Sequence, residues 1–193
     1  MPSASFMRWE TERVAILEEL DQVCKIVGRS RSTTRPSTQR IAEAAVVLLF
    51  AQFQAFCRDL HSECADLLVP PDLSNEWKAV VKTSFVLNRK LDSSNPALSN
   101  IREDFKRFGL DLISEAQRIE PAAFPKLEGA FAKLVQYRNA VAHHDYRKID
   151  LNIIRLDQNF AVQSRLMCSN LARLFDSIAI NHIESLTNQR PGR

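Results

Sequence analysis

The residues that most constrain this chain lie between Val46 and Leu67. There Val46, Leu49, Phe53, Phe56, Leu60, Cys64 and Leu67 follow one another at steps of three and four. Such steps keep side chains on one face of a helix, whereas a strand would scatter them over both faces. Val47, Leu48, Phe50 and Ala51 make the first half of this helix apolar all round. It therefore needs cover on two sides, from another helix of the chain or from the same face of a second subunit. The continuous apolar run, Ala44 to Ala51, is far below the ~20 residues of a membrane span, so the helix is expected in a core and no membrane partner is expected. Only 4 of the 193 residues are glycine, and apolar positions recur at helical spacing elsewhere. The expectation is an all-α bundle of about five to seven helices, a single domain over residues 1–193.

Around this helix the punctuation is clear. A first helix is expected from about Ser5 to Val27, with Trp9, Ile16, Leu20, Val23 and Val27 on one stripe and Gly28 as its stop. The long helix should run from Thr38 to Leu68, ended by Pro70 and Pro71. Ser74 caps a third, carrying Trp77, Val80, Val81, Ser84, Phe85 and Leu91. Asn95 and Pro96 open a short helix with Leu98, Ile101, Phe105 and Phe108 before Gly109, and Leu110 to Ile119 is a weaker helical stretch. After "EPAAFP", a helix from Pro125 to about His143 precedes a last one from about Leu151 to Leu186, and residues 187–193 read as a frayed tail.

The formal net charge of +3 does not by itself argue for nucleic acid, but its distribution matters. No acidic residue occurs between Gln22 and Ala42, while Lys25, Arg29, Arg31, Arg35 and Arg40 do. Residues 28–39 read as a basic flexible loop. Arg29, Arg31 and Arg35 within it, and Arg40 just after it, are candidate contacts to nucleic-acid phosphates, set against plain solvated charge. Cys24, Cys57, Cys64 and Cys168 form no CxxC pair and follow no secretory leader, so reduced, buried thiols in a cytoplasmic protein are expected.

The stretch "YRNAVAHHDY" raises the chemical question. Leu127, Phe131, Leu134, Val141 and Ala142 fall in one helical arc, and Arg138 takes the place of a core residue in it. A guanidinium gives up water only for a partner or an accessible cleft. It either snorkels or caps neighbouring carbonyls, or it marks a concave anion site. Asn139 and His143 are four apart, so the amide can orient the imidazole, while His144 projects elsewhere. A histidine at a helix C-terminus is also favoured simply by the dipole. Adjacent histidines diverge and no ligand spacing accompanies them, so neither a metal nor a cofactor is expected. His61 and His182 are given surface or structural roles. Asp145 orients an imidazole or begins the turn.

Arg138, four intervening residues and His143, with a polar residue after the arginine, resemble the R-x(4-6)-H signature of the HEPN superfamily. The placement on the penultimate long helix, and the run "IAEAAVVLLFAQFQAFCRDL", resemble stand-alone members of the RiboL-PSP-type branch over about Arg40 to Leu186. The resemblance implies a four-helix core and a metal-independent endoribonuclease, acting as a toxin or phage-defence effector. It further implies a homodimer whose interface site joins Arg138, Asn139, His143 and His144, with RNA cut by its own 2′-hydroxyl. The implied partners are RNA and a cognate antitoxin or nucleotidyltransferase. In some members a tyrosine two residues after the histidine is nucleotidylated. Here Tyr146 lies two after His144 and three after His143, which leaves the histidine assignment open. The alternatives are a non-catalytic module binding RNA or a nucleotide, and a structural interaction protein.

Overall fold

The computed structural model of the protein describes residues 1–29, 35–146 and 158–188, with the backbone alone at 24, 27–29, 35–38 and 158. Most of these residues are helical, and there is no strand among them. In order they form α1 (Ala4–Arg8), a π-helical turn (Trp9–Arg13), α2 (Val14–Arg29), α3 (Arg35–Leu68), α4 (Asn75–Val86) and α5 (Lys90–Ser93). They continue through α6 (Leu98–Phe105), a 3-10 turn (Lys106–Phe108), α7 (Leu112–Ile119), α8 (Phe124–His143) and α9 (Gln158–Asn188).

The long helix is the spine that its spacing predicts. Val46, Leu49, Phe53, Phe56, Leu60 and Cys64 are all buried, and only Leu67 of that seam is exposed. Trp9, Phe56, Phe131 and Phe175 gather round Phe53 from α3 itself, the π turn, α8 and α9. Second cover for α3 comes from the same chain at Phe50, whose ring stacks on Phe131 of α8 at 6.1 Å and 15°. Val47 and Ala51 remain exposed. By length and composition α3 is, among the described residues, the helix able to cross a membrane. Here its polar residues are tied into the bundle instead: Asp59 to Arg8 and Arg13, Glu63 to the backbone of Ala4 and Ser5.

Several expectations are corrected. The stripe Trp9, Ile16, Leu20, Val23 holds only at Trp9; beyond it Leu17 and Asp21 are buried, while Ile16 and Val23 are exposed. The π turn is the cause, because an i→i+5 turn inserts one extra residue and rotates everything after it by about 100°. Each inward position moves one residue along. Asp21, carried inward, is paired with Arg165 of α9. The basic segment 28–39 is not all loop, since α2 runs through Gly28 to Arg29 and α3 begins at Arg35. One glycine costs a helix only about 1 kcal/mol, and Pro36 falls in a first turn, where its missing N–H is not needed. Similarly, residues 187 and 188 of the expected tail belong to α9. The expected start of the last helix, Leu151 to 157, lies outside the described residues, as do residues 189–193.

Helix α4 forms where Ser74 caps it, but none of its residues is buried, and Trp77 and Val80 are exposed. It is held toward its C-terminal end. Lys82 pairs with Asp66 of α3, and Arg107 donates to the carbonyls of Phe85, Leu87 and Asn88. Next to it, His61 is fully buried and structural. Its Nε2 donates to the carbonyl of Asp104, and Arg89 Nη1 approaches its Nδ1 at 3.5 Å. Burial, with Arg89 beside it, lowers the His61 imidazole to about 4. The carboxylate of Asp104 accepts the N–H groups of Lys90 and Leu91, both at 2.8 Å. His182 bonds the carbonyl of Phe108 at 2.9 Å. Cys57, Cys64 and Cys168 are free and buried, and burial pushes the Cys64 thiol up to about 12; the side chain of Cys24 lies outside the described residues.

Candidate functional site

Helix α8 begins at Phe124 with Pro125 in its first turn and buries Phe124, Phe131, Leu134, Tyr137 and Ala140. Its inner arc is therefore wider than Leu127, Phe131, Leu134 and Val141 alone suggest, because Tyr137 and Ala140 also turn inward. Ala142, expected within the arc, is exposed instead. The last turn of the helix is leaving the core, and Arg138 sits at that exit, half-buried.

The guanidinium carbon of Arg138 lies 5.4 Å from the centroid of the Phe50 ring. A cation over an aromatic face is attracted by the ring quadrupole, by about 0.5–2 kcal/mol depending on solvation. Phe50 is itself fully buried and braced by Phe131, so the charge rests on a rigid platform. Arg138 Nη1 also donates to Asn139 Oδ1 at 3.2 Å. This corrects the expected pairing of Asn139 with His143. The amide oxygen serves the arginine, and among the described residues no hydrogen bond joins it to an imidazole.

The two histidines occupy different backbone states. His143 is the last residue of α8 and is exposed. His144 follows in the left-handed region, φ 53 and ψ 33, with its N–H on the carbonyl of Val141 at 3.3 Å. The N–H of Asp145 reaches the carbonyl of Ala140 at 3.0 Å. This pair of bonds is a Schellman stop, in which His144 takes the place usually given to glycine. Histidine is among the few side chains enriched there. Asp145 thus takes part in the turn, the second of the two roles its position allows.

Tyr146 turns back onto α3, its hydroxyl donating to Glu43 Oε1 at 3.2 Å, and the same oxygen accepts from Gln39 Nε2 at 3.0 Å. The rings of His144 and Tyr146 meet edge-on at 5.6 Å and 76°. Burial first, then the carboxylate of Glu43, raises the Tyr146 phenol above its ordinary range. These contacts place the N-terminal turns of α3 at the same end of the bundle as the motif. Arg40, one turn before Glu43, is exposed there. The side chains of Arg29 and Arg35, and all of Arg31, lie outside the described residues. Glu43 and Gln39 were not legible as site residues, because nothing in their local spacing links them to a motif about a hundred positions away.

A braced guanidinium and two exposed histidines thus stand on, and just past, the last turns of α8. Among the described residues no three His, Cys, Asp or Glu side chains converge as a metal ion would require. Residues 71–177, from the approach to α4 through most of α9, match the RiboL-PSP-HEPN family. The motif on α8 falls inside that match, and the α3 run lies upstream of it. No curated protein and no solved structure matches the chain.

Proposed function

This chain belongs to the RiboL-PSP-HEPN family, and from that premise we propose that it is a metal-independent endoribonuclease, acting as a toxin or phage-defence effector. The single observation that carries the reading is the half-buried Arg138, held against Phe50 one turn before an exposed helix end that bears His143 and His144. A scaffold position would be filled more cheaply by an apolar residue, and a surface arginine would not need an aromatic bed.

In the proposed reaction the RNA 2′-oxygen attacks the adjacent phosphorus and the bond to the 5′-oxygen breaks, leaving a 2′,3′-cyclic phosphate and a 5′-hydroxyl. The attacking hydroxyl loses a proton and the departing oxygen gains one, and one imidazole cannot do both at once. A two-fold homodimer supplies the second. His143 of one copy is the base and His143 of the other the acid. Arg138 holds the phosphate and offsets the charge that grows on it. Arg40, on the same end of α3, adds a phosphate contact without sequence preference.

One observation favours a second reading, a module that binds RNA or a nucleotide without cutting. Asn139 is engaged with Arg138, so among the described residues no amide orients an imidazole as a base. Incubating the purified dimer with RNA, with and without chelator, separates the two. Cleavage that survives chelator, gives cyclic phosphate ends and disappears in Arg138→Ala and His143→Ala supports the enzyme. RNA bound by a demonstrably dimeric protein and left whole supports the module.

A further inference from the structure

We propose that Glu43 is a positioning residue for the histidine end of α8, acting through Tyr146; the inference rests on the ribonuclease reading for its catalytic consequence. Among the described residues neither the His143 nor the His144 imidazole makes a hydrogen bond, and both residues are exposed at the end of a helix. Helix ends of this kind fray unless the chain beyond them is tied down. The tie here is tertiary. Tyr146, two residues past the Schellman turn, packs its ring edge-on against His144 and donates its hydroxyl to Glu43 on α3.

The order of dependence follows from the chemistry of each group. Among the described residues the Tyr146 ring is the aromatic neighbour of His144, so it holds the turn that directly follows His143, the proposed base and acid, and the His144 ring reports on that hold. Tyr146 takes its orientation from Glu43, whose Oε1 also accepts from Gln39. The raised phenol stays a donor across neutral pH. A lone carboxylate beside a phosphate site would repel the substrate. Two donors on one oxygen, from Tyr146 and Gln39, draw off part of that charge and let Glu43 sit near the site at lower cost. The line Gln39, Glu43, Tyr146, His144 thus couples the start of α3 to the motif, and it explains why a half-buried glutamate occupies the apolar approach to α3's core.

Full-length Tyr146→Phe, Glu43→Ala and Glu43→Gln test this, with Tyr146→Phe as the least disruptive because it deletes one oxygen. Two readouts are used. In the first, the imidazole C–H resonances of His144 should carry the shift of the Tyr146 ring in the parent protein. They should move toward free-histidine positions in Tyr146→Phe and Glu43→Ala, and stay put in Glu43→Gln, which keeps a carbonyl acceptor. In the second, kcat for RNA cleavage should fall by about tenfold or more in the first two variants, with KM changed by less than about threefold, since misplacement acts on the transition state more than on binding. The double variant Glu43→Ala with Tyr146→Phe should lose no more than either single one. Unchanged His144 resonances in Tyr146→Phe would overturn the proposal. So would a double variant whose losses simply multiply. If the parent protein cuts no RNA, the ribonuclease reading fails by itself, and the resonances alone decide whether Glu43 positions the histidine.

Discussion

Arg138 rests its guanidinium 5.4 Å from the centre of the Phe50 ring, and Phe50 is in turn stacked on Phe131, seven residues before that arginine on the same helix. The charge therefore sits on an aromatic bed built from both long helices it lies between. Replacing Arg138 by Ala should reduce RNA cleavage by about a hundredfold or more, the usual cost of removing one preorganised donor from a developing anion. Stability should fall by only about 1 kcal/mol. Arg138→Lys should recover the charge but not the fork or the stacking, and should stay well below the parent. Cleavage kinetics and thermal melts on the same samples check this.

Trimming the bed separates position from charge. Phe50→Leu keeps a buried apolar side chain while removing the ring, so the arginine keeps its charge but loses its platform. Cleavage should drop by about tenfold, alongside a core cost of about 1–2 kcal/mol seen in denaturant. Unchanged kcat in a destabilised Phe50→Leu would show that the ring serves packing alone.

The histidine pair should divide cleanly. His143→Ala is expected to lose about 10²–10⁴-fold in rate, the range for a missing general acid or base. His144 stands at φ 53, so His144→Gly should relieve backbone strain and raise stability by about 1 kcal/mol. Denaturant midpoints for His144→Gly and His144→Ala measure that; Ala, with the same Cβ and no ring, should not show the gain.

His61 predicts an acid-sensitive fold. The unfolded chain protonates it below its ordinary value of 6.5, while the folded chain keeps it neutral to about 4. Between those values the unfolded state binds more protons. Its stability contribution is therefore whole above pH 6.5 and declines as pH falls toward 4, by on the order of 3 kcal/mol at most. Asp176 acts in the opposite direction, because burial raises its carboxyl. Comparing the parent with His61→Gln by urea unfolding at pH 7 and pH 5 isolates the histidine. The parent should lose more stability between the two.

Asp104 is buried with both oxygens accepting backbone N–H groups at the start of α5. Asp104→Ala strands both donors and should cost about 3 kcal/mol or more. Asp104→Asn, which can replace one acceptor, should fall between, as read from denaturant midpoints.

Much of this was legible in the chain itself. The helical class, the spine through Phe53 and Phe56, the cap at Ser74, the stop at Gly109 and the end of α8 at His143 all follow from local spacing and from residues whose backbone preferences are strong. The odd placement of Arg138 was visible too, because a charge in an apolar arc stands out against a period of 3.6. What the sequence could not decide depends on events that leave no local mark. A single π turn moved the buried face of α2 from Ile16 to Leu17, since one inserted residue per turn changes the phase of every later position. Whether Trp77 is covered depends on what packs against α4, and among the described residues nothing buries it. The bed under Arg138 and the tie from Tyr146 to Glu43 join residues up to 103 positions apart. Local periodicity determines which face a helix hides; only the packed bundle determines which groups meet across it.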